Sequence, residues 1–466
     1  MIEMNAAASE TERYVEVRSR VTSRVKGTLI DVLQLEITEE QIGFDSPLFG
    51  AGLGLDSVDA VGLAAAIEQE FGVTVLDSDI QVFRSINTIV DFVIARQAQT
   101  EAGEEPSGLA GVVVPEDLAA RAEAAPGLEE ELADYLAVRC RAGLVDQSRY
   151  AKIRVDGADA QELLDRVVAG NVADLAVGEM LHSLALAEDG TVQALLWLAR
   201  DDRGYLLLAG AGQREVLLAA LSGPRAELAV EVADVTGEYG LFSLLGPRAQ
   251  DLLVDLFDED LLRLGYAEWS ERDWDGVRIA VGRFGETGEF DYRLLAPVEA
   301  AARLRREVEE AGSLHGLRVC SPAVLPGLML EMKSIHQEAH LPPGATPAQL
   351  DLQWMLQASK ERFIGREAAL AGLRSPGGRA VVLVLDEGVE GGADLRGAGV
   401  LSEGRPVGTV QAASRSWVLD RALALALLDE EAAWPNLRFE VAGAGGAESR
   451  SAPLFLTRTV VESLNL

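Results

Sequence analysis

The chain has 466 residues, more than a single hydrophobic core usually supports, so two or three domains are expected. Its formal net charge of −34, from 41 Lys and Arg against 75 Asp and Glu, argues against nucleic acid and anionic membranes as partners. Two distant cysteines, Cys140 and Cys320, exclude a disulfide scaffold, and the chain starts without the pattern of an export signal. No apolar stretch approaches the roughly 20 residues that span a bilayer. We therefore expect a cytoplasmic protein with no nucleic-acid or membrane partner.

The first hundred residues carry helical periodicity and few strand signals. An amphipathic pattern covers 12–35, a second helix is indicated over 57–71, and a third over 85–97. This pattern predicts a small helical bundle over residues 1–99. Residues 100–111 are rich in Glu and Gly and lack apolar periodicity, which predicts a flexible linker.

Beyond the linker, the sequence changes to an α+β pattern. Short runs of leucine and β-branched residues, such as 152–155 and 205–208, alternate with helical stretches such as 158–168. After a turn-rich break near residue 375, strand signals dominate. We predict an α+β multidomain protein, with a mixed region over 112–375 and a β-rich unit over 376–466.

The helix that begins at Ser57 has two apolar stripes. Leu63 and Ile67 lie on one stripe, and Val58 and Val61 lie on nearly the opposite side, flanked by acidic residues. A helix in a small bundle needs one face for the core, so the second stripe is a candidate docking surface for a partner protein. A serine at a helix N-terminus is, by itself, most often only a cap.

The motif around this serine resembles the acyl/peptidyl carrier protein family. It consists of Gly54-Leu-Asp-Ser-Val-Asp59, followed by Gln69-Glu-Phe-Gly72. The resemblance implies a four-helix carrier bundle over residues 1–99, and it implies that Ser57 carries 4′-phosphopantetheine, whose thiol holds an acyl or aminoacyl thioester. It also implies three kinds of partner: a phosphopantetheinyl transferase, an acyl- or aminoacyl-loading enzyme, and downstream pathway enzymes. Val58 stands where most family members have leucine.

A second set of motifs occurs along residues 130–466. Its members are Ala137-Val-Arg-Cys-Arg-Ala-Gly-Leu-Val-Asp-Gln-Ser148, Leu245-Gly-Pro-Arg-Ala249, Arg283-Phe-Gly-Glu-Thr-Gly-Glu289, Thr346-Pro347 and Phe363-Ile-Gly-Arg366. In this order they resemble the glycine-cleavage T-protein, or aminomethyltransferase, family, which moves one-carbon units between a carrier-bound substrate and tetrahydrofolate. The resemblance implies a T-protein-like folate-binding α+β fold with a C-terminal β-barrel.

The same resemblance suggests which residues line a folate cleft. Glu289 stands where the family has a carboxylate that accepts the N–H donors of the pterin edge, although an acid at a turn is often only solvated. Tyr150 takes the place of a family methionine, and Leu207 falls near the folate-lining strand, where a leucine is more often simply core. These three residues and a tetrahydrofolate derivative are the expected cleft and its ligand.

The family's acid/base residues are altered in this chain. Ala194 and Leu195 stand where the family has two aspartates, and Met329 replaces an arginine. The resemblance therefore leaves the proton carrier open. Candidates for a replacement are Asp146, Arg149, Gln193 and His182.

His336 and His340 have the i, i+4 spacing that can hold zinc on a helix, but no third ligand is evident. We therefore expect a polar pair near the cleft and no metal site.

Two functions follow from the two resemblances. The first is tetrahydrofolate-dependent one-carbon transfer, of a methyl, methylene or aminomethyl group, to or from a substrate tethered on Ser57 in a specialised metabolite pathway. Tethering raises the local substrate concentration to roughly millimolar. The second is a folate-independent or non-catalytic scaffold that shields, rearranges or presents the tethered intermediate. Because no strongly basic surface is evident in the larger domain, we expect its contact with the carrier to depend on tethering more than on charge.

Overall fold

The structure is a computed structural model that describes residues 10–48, 52–55, 57–76, 79, 83–102, 118, 130–389 and 394–454, with only the backbone of Ser57. Over these residues the chain forms an N-terminal helical bundle, two packed sheets covered by helices, and a closed β-barrel. This architecture confirms the predicted α+β multidomain fold.

The bundle contains the helices α1 (Glu10–Leu33), α2 (Ser57–Phe71) and α3 (Ile86–Ala102), and a 3-10 turn at Glu39–Gln41. Its core is apolar and fully buried, with Val25, Leu29, Leu63, Ile67 and Val93 among its members. Three α-helices are thus described where four were predicted; residues 77, 78 and 80–82, between α2 and α3, lie outside the described residues. Helix α3 extends three residues into the predicted linker, and 103–111 lie outside the described residues.

The middle of the chain forms two sheets. Their strands are β1 (Ala142–Asp146), β2 (Ala151–Asp156), β3 (Met180–Leu186), β4 (Val192–Arg200), β5 (Gly204–Ala209), β6 (Glu231–Asp234), β7 (Tyr239–Leu245), β8 (Glu268–Trp274), β9 (Val277–Arg283), β10 (Asp291–Pro297) and β11 (Leu317–Cys320). The strand orders are β3-β4-β5-β2-β6 and β11-β1-β7-β10-β9-β8. The β1–β11 pair is parallel, and the other pairs are antiparallel.

Among the described residues, seven further helices cover these sheets and link them to the barrel. They are α4 (Glu130–Cys140), α5 (Ala160–Val167), α6 (Arg214–Ser222), α7 (Ala249–Leu256), α8 (Val298–Gly312), α9 (Val324–Glu331) and α10 (Arg366–Gly372). The two sheets pack face to face through Trp197, Leu206 and Leu208 on one side and Leu241, Ala280 and Leu295 on the other. Their outer faces are covered by α5 and α6, and by α7 and α8.

The barrel closes in the order β12-β15-β14-β13-β16-β17. Its strands are β12 (Arg379–Leu385), β13 (Gly399–Ser402), β14 (Arg405–Ser416), β15 (Arg421–Leu428), β16 (Arg438–Val441) and β17 (Gly445–Arg450). Along β15, Ala422, Ala424 and Ala426 face the barrel interior, whereas Leu423 and Leu425 pack on its outside. This barrel confirms the predicted β-rich C-terminal unit.

The bundle packs against the barrel and the segments beside it. The hydroxyl of Tyr14 donates to the backbone oxygen of Pro435 at 3.1 Å. Nζ of Lys333, in the larger domain, lies 2.7 Å from Oδ2 of Asp45 in the bundle, and both side chains are buried. A buried ion pair therefore joins the bundle to the larger domain, and the expectation that tethering matters more than charge for this contact stays a prediction.

None of the helices in the described ranges is long and apolar enough to cross a membrane.

Candidate active site

A cavity of about 410 Å³ lies between the bundle, the five-stranded sheet and the segment that follows α9. Its walls are largely apolar, and they include Leu195, Met332, Ile335, Leu350, Leu352, Trp354 and Met355. Apolar walls with a few polar groups are typical of small-molecule sites.

The polar end of this cavity is formed by His182 and Glu286. Nε2 of His182 lies 2.8 Å from Oε1 of Glu286. The imidazole stacks on the indole of Trp197, and Trp354 meets its edge. Burial alone would raise the pKa of Glu286, but the charge and hydrogen bond of His182 and the charge of Arg293 outweigh burial and lower that pKa. Glu286 is therefore a carboxylate that orients the imidazole.

Strand pairing and a tight loop position this pair. His182 on β3 and Trp197 on β4 are directly opposite each other in the antiparallel register, so their rings meet across the strands. Glu286 lies in the β9–β10 connection. There, a Cβ on Gly285 would come within 2.0 Å of Oδ2 of Asp291, so this close approach requires glycine.

Strand β4 presents a leucine to the cavity where the resemblance expects an acid. Leu195 lines the cavity, whereas Ala194 packs in the core on the opposite face, as strand alternation requires. Nε2 of Gln193 donates to Oγ1 of Thr191 at 3.3 Å, away from the residues that line the cavity. A proton-carrying role for Gln193 stays a prediction that this placement does not support.

Glu289 belongs to a buried ion network. Its Oε1 lies 3.1 Å from Nη1 of Arg139. Nη2 of the same guanidinium lies 2.6 Å from Oε2 of Glu331. The hydroxyl of Tyr135 donates to Glu331 at 2.7 Å. Burial raises the pKa of Glu331 even beside Arg139, whereas the carboxylates raise the pKa of Arg139 against the effect of burial. The carboxylate of Glu289 thus faces a protein cation, and its role as a pterin ligand stays a prediction.

Three other predicted residues meet in a second cavity, of about 360 Å³. Asp146, Arg149 and Tyr150 line it together with His336 and Glu338. Burial raises the pKa of Tyr150 to about 12, so its phenol stays protonated at neutral pH. These three residues are close to one another, but they line a different cavity from the His182 and Glu286 pair.

Arg293 is a buried cation that influences both cavities. Its guanidinium lies 5.9 Å from the ring of Tyr150, and its charge lowers the pKa of Glu286. Asp291 lies 3.5 Å away, yet burial outweighs this attraction and raises the pKa of Asp291 to about 6. Burial and the charge of Arg293 thus act on the pKa of Asp291 in opposite directions.

Leu207 does not line the cleft as predicted. It is fully buried in the core between the five-stranded sheet and helices α5 and α6. Its neighbours Leu206 and Leu208 face the opposite side of the strand, toward the six-stranded sheet.

The two histidines weighed as a metal pair are packed against each other. Nδ1 of His340 accepts the backbone N–H of His336 at 3.0 Å, and burial lowers the pKa of His340 to about 4. Over the described residues, no group of three or more His, Cys, Asp or Glu side chains is placed to hold a metal ion.

The bundle contributes part of the wall of the larger cavity, through Asp45, Ser46, Pro47 and Arg84. Backbone hydrogen bonds join this wall to the residues just before α2: Leu53 donates to Pro47 at 3.2 Å, and Leu55 donates to Leu48 at 3.1 Å. Helix α2 then begins at Ser57, whose side chain lies outside the described residues. The predicted attachment site therefore follows closely on the cavity wall in the chain.

Sequence reasoning missed Glu286 and Lys333 as functional residues. Glu286 stands three positions before Glu289 in the same motif, and the proximity of His182 could not be inferred without the fold. Lys333 is a lone lysine after a buried helix, and nothing local marks it as a partner for a carrier acid.

Comparison with known proteins supports both halves. Residues 109–360 match the family model of the GCVT N-terminal domain, and residues 23–93 match that of the phosphopantetheine attachment site. Aminomethyltransferase of Streptomyces coelicolor is 30% identical over 313 residues, covering 66% of this chain and 84% of that protein. Aminomethyltransferase of Natranaerobius thermophilus is 29% identical over 301 residues, covering 64% and 82%.

The fold is shared with a solved structure. The crystal structure of glycine cleavage system aminomethyltransferase T from Bartonella henselae superposes with a TM-score of 0.64 at 23% identity, covering 71% of this chain and 90% of that chain.

Proposed function

Because the chain belongs to the family described by the GCVT N-terminal domain, with a phosphopantetheine carrier domain joined before it, we propose that it transfers a one-carbon unit between a tetrahydrofolate derivative and a substrate tethered on Ser57. The observation that carries this proposal is the cavity itself. It is apolar, it ends in an imidazole–carboxylate pair, and part of its wall comes from the carrier. We place the reaction in specialised metabolite biosynthesis, since a carrier thioester is the form in which such pathways hold intermediates.

The His182–Glu286 pair is the proposed proton carrier in place of the missing aspartates. Glu286 lies against Nε2 of His182, so it favours the imidazole tautomer with the proton at that nitrogen and leaves the other ring nitrogen as the base. Stacking on Trp197 restricts rotation of the ring. The pair can therefore accept a proton from a substrate nitrogen or carbon and return it later.

The cavity fits a flat bicyclic ligand in part. Glu286 is the carboxylate that can accept pterin N–H donors, and Trp354 and Tyr266 supply aromatic walls. Arg139 already neutralises Glu289, the carboxylate expected from the resemblance. When bound, a tetrahydrofolate derivative would supply or accept the one-carbon unit, and Glu286 and the apolar walls would hold it.

The partners of the carrier remain those implied by Ser57: a phosphopantetheinyl transferase, a loading enzyme for acyl or aminoacyl groups, and downstream enzymes. Val58 and Val61 on α2 are 75% and 60% exposed, which suits an apolar contact with such enzymes. The acids nearby favour partners with basic surfaces.

A second function is favoured by two specific observations. Leu195 and the closed Arg139–Glu289 pair remove two features that the family uses toward folate. The alternative is therefore a folate-independent scaffold that shields, rearranges or presents the tethered group.

Intact-mass analysis tests the proposal. The full chain is loaded on Ser57 from acetyl-, malonyl- or glycyl-coenzyme A and incubated with 5,10-methylene-, 5-methyl- or 10-formyltetrahydrofolate as one-carbon donors, or with tetrahydrofolate as the acceptor. Transfer predicts the mass gain of one one-carbon unit, or its loss, only with a folate, and no change in His182→Gln. If no loaded group changes mass with any of these folates, and no folate raises the thermal midpoint, the transferase proposal is wrong and the scaffold is favoured.

A further inference from the structure

The carrier meets the rest of the chain through a buried charge cluster. Nζ of Lys333 lies 2.7 Å from Asp45, in the carrier, and 3.2 Å from Asp351, in the larger domain. The backbone N–H groups of Phe44 and Asp45 donate to the carboxylate of Asp351 at 2.8 and 2.6 Å. A buried charge is tolerated only when it is paired and hydrogen-bonded, and here each carboxylate has several donors.

Asp45 is also held by the segment that follows the barrel. Its Oδ1 accepts the backbone N–H of Ala452 at 3.1 Å and the side-chain amide of Asn87 at 2.9 Å. The hydroxyl of Ser85 donates to the backbone oxygen of Ala452 at 3.1 Å. Asp45 is thus bonded by three separate parts of the chain: Asn87, Lys333 and Ala452.

An aromatic contact flanks this cluster. Phe44 packs edge to face on Trp434 of the barrel, with ring centroids 5.8 Å apart, and the guanidinium of Arg379 lies 4.0 Å from the Phe44 ring. Apolar, cationic and hydrogen-bonded contacts therefore coincide on one loop of the carrier, residues 43–48, which we call the docking loop.

The docking loop fits closely. A Cβ on Gly43 would lie 1.9 Å from Oγ of Ser46 and 2.6 Å from Oδ1 of Asp351. Ser46 in turn donates to the backbone oxygen of Asp351 at 2.7 Å. Since φ of Gly43 is outside the left-handed region, alanine does not strain the backbone there, but its Cβ would displace Ser46 of the same loop and come too close to Asp351 of the larger domain.

The docking loop and the exposed stripe of α2 are different surfaces. Asp45, Ser46 and Pro47 line the cavity, whereas Val58 and Val61 are exposed while the carrier is docked. One surface therefore closes the chain's own cavity, and the other stays accessible to separate enzymes.

From these contacts we propose that the docked carrier is a working state: Ser57 is modified and loaded without undocking, and its substrate enters the cavity of the same chain. The delivery step rests on the proposed function, but the docking does not. The cavity is incomplete without the docking loop, so a second chain's carrier cannot supply the group while the chain's own carrier is in place.

Three variants and one control separate these surfaces. Lys333→Met leaves two buried carboxylates without their shared cation, and Gly43→Ala introduces the clash, so both release the docking loop. Val61→Glu changes only the exposed stripe. Arg438→Met, which removes an exposed ion pair with Asp386, is the control matched in charge change.

Hydrogen exchange of 43–48 in the full chain reports docking. Slow exchange is expected in wild type, Val61→Glu and Arg438→Met, and fast exchange in Lys333→Met and Gly43→Ala. Gly43→Ala keeps the test meaningful if Lys333→Met does not fold. Equally fast exchange in the wild type would overturn the docked state.

Intact mass with coenzyme A and a phosphopantetheinyl transferase then reports modification of Ser57. Rates within about twofold of each other are expected for wild type and the two undocked variants, with a drop of about tenfold or more in Val61→Glu. An undocked variant modified about tenfold faster than wild type would mean that docking covers Ser57, and would overturn the proposal.

Mixing two inactive chains tests delivery. Ser57→Ala has a sound cavity and no arm, and His182→Gln has an arm and no base. If each arm delivers its group only to the cavity of its own chain, the mixture forms no product. Product from the mixture would overturn delivery within the chain. If the loaded wild type itself shows no mass change, the proposed function fails, while exchange and modification rates still decide the docked state.

Discussion

The imidazole of His182 lies parallel to the indole of Trp197, with ring centroids 4.4 Å apart and planes 2° apart. At the edge of the ring, Nε2 lies 2.8 Å from Oε1 of Glu286. The ring is thus held by an aromatic face and a carboxylate at once. A group held this firmly is preoriented for proton transfer, since little ordering remains to be done when a substrate arrives.

Replacing His182 by Gln, or Glu286 by Gln, is expected to lower the rate of transfer by about 10² to 10⁴ fold, the usual contribution of a general base. The Glu286 variant is expected to change the pH profile of the rate as well, because the carboxylate no longer favours one imidazole tautomer. The measurement is mass change over time in loaded protein, with Arg438→Met as control. Unchanged rates in both variants would exclude this pair as the proton carrier.

Arg139→Met is expected to destabilise the fold by about 3–5 kcal/mol, because Glu289 and Glu331 would remain buried without their cation. Differential scanning calorimetry shows this as a lower thermal midpoint. Replacing both glutamates by Gln in the same variant is expected to recover part of the loss. Arg438→Met, whose ion pair is exposed, is the control. A thermal midpoint of Arg139→Met no lower than that of Arg438→Met would contradict the assigned role of the network.

Asp291 predicts a pH dependence of stability. Its pKa is raised by burial to about 6 in the folded chain, against about 4 when unfolded, so between these values the unfolded state releases a proton that the native state keeps. Asp291 therefore contributes about 3 kcal/mol to the free energy of unfolding at low pH, and this contribution is lost as the pH rises from about 4 to about 6.

Asp291→Asn does not titrate and is the matched reference for this effect. Thermal unfolding is measured at pH 4.5 and at pH 7.5. The thermal midpoint of the wild type, relative to that of Asp291→Asn, is expected to be lower at pH 7.5 than at pH 4.5. A constant difference at the two pH values would show that Asp291 does not titrate in this window.

Cys320 is expected to be inert in the folded chain. Burial raises the pKa of its thiol to about 12, so thiolate is scarce at pH 8. Titration with a thiol reagent at pH 8 should therefore modify Cys320 only after denaturant is added, and a Cys320→Ala variant assigns the signal. Rapid native labelling that is lost in Cys320→Ala would contradict the burial.

The fold was largely predictable because its signals are local. Helical periodicity indicated the bundle, and short runs of leucine and β-branched residues, such as those of β2 and β5, indicated the sheets. The helix boundaries were less certain: α3 continues through Ala102 although its buried residues end at Arg96, because Gln, Ala and Glu in its last turns favour helix, whereas composition alone favoured a linker from residue 100.

The site was less predictable because its contacts join distant parts of the chain. The sequence could not show that Arg139, far away in the chain, lies beside Glu289, whose role as a pterin ligand stays a prediction. Leu207 could not be assigned to the cleft or the core without knowing which face of β5 meets the helices. His182 was named as one candidate among four, and only the β9–β10 loop placed a carboxylate next to it.

The contact between Ala452 and Asp45 also has a consequence for synthesis of the protein. About 350 residues separate the end of α3 from Ala452, so a ribosome adding roughly 5–20 residues per second makes them in roughly 20–70 s. During that interval the carrier has emerged while its docking surface has not. The nascent carrier must therefore fold and remain unaggregated on its own, and Ser57 is available to a modifying enzyme before the cavity exists.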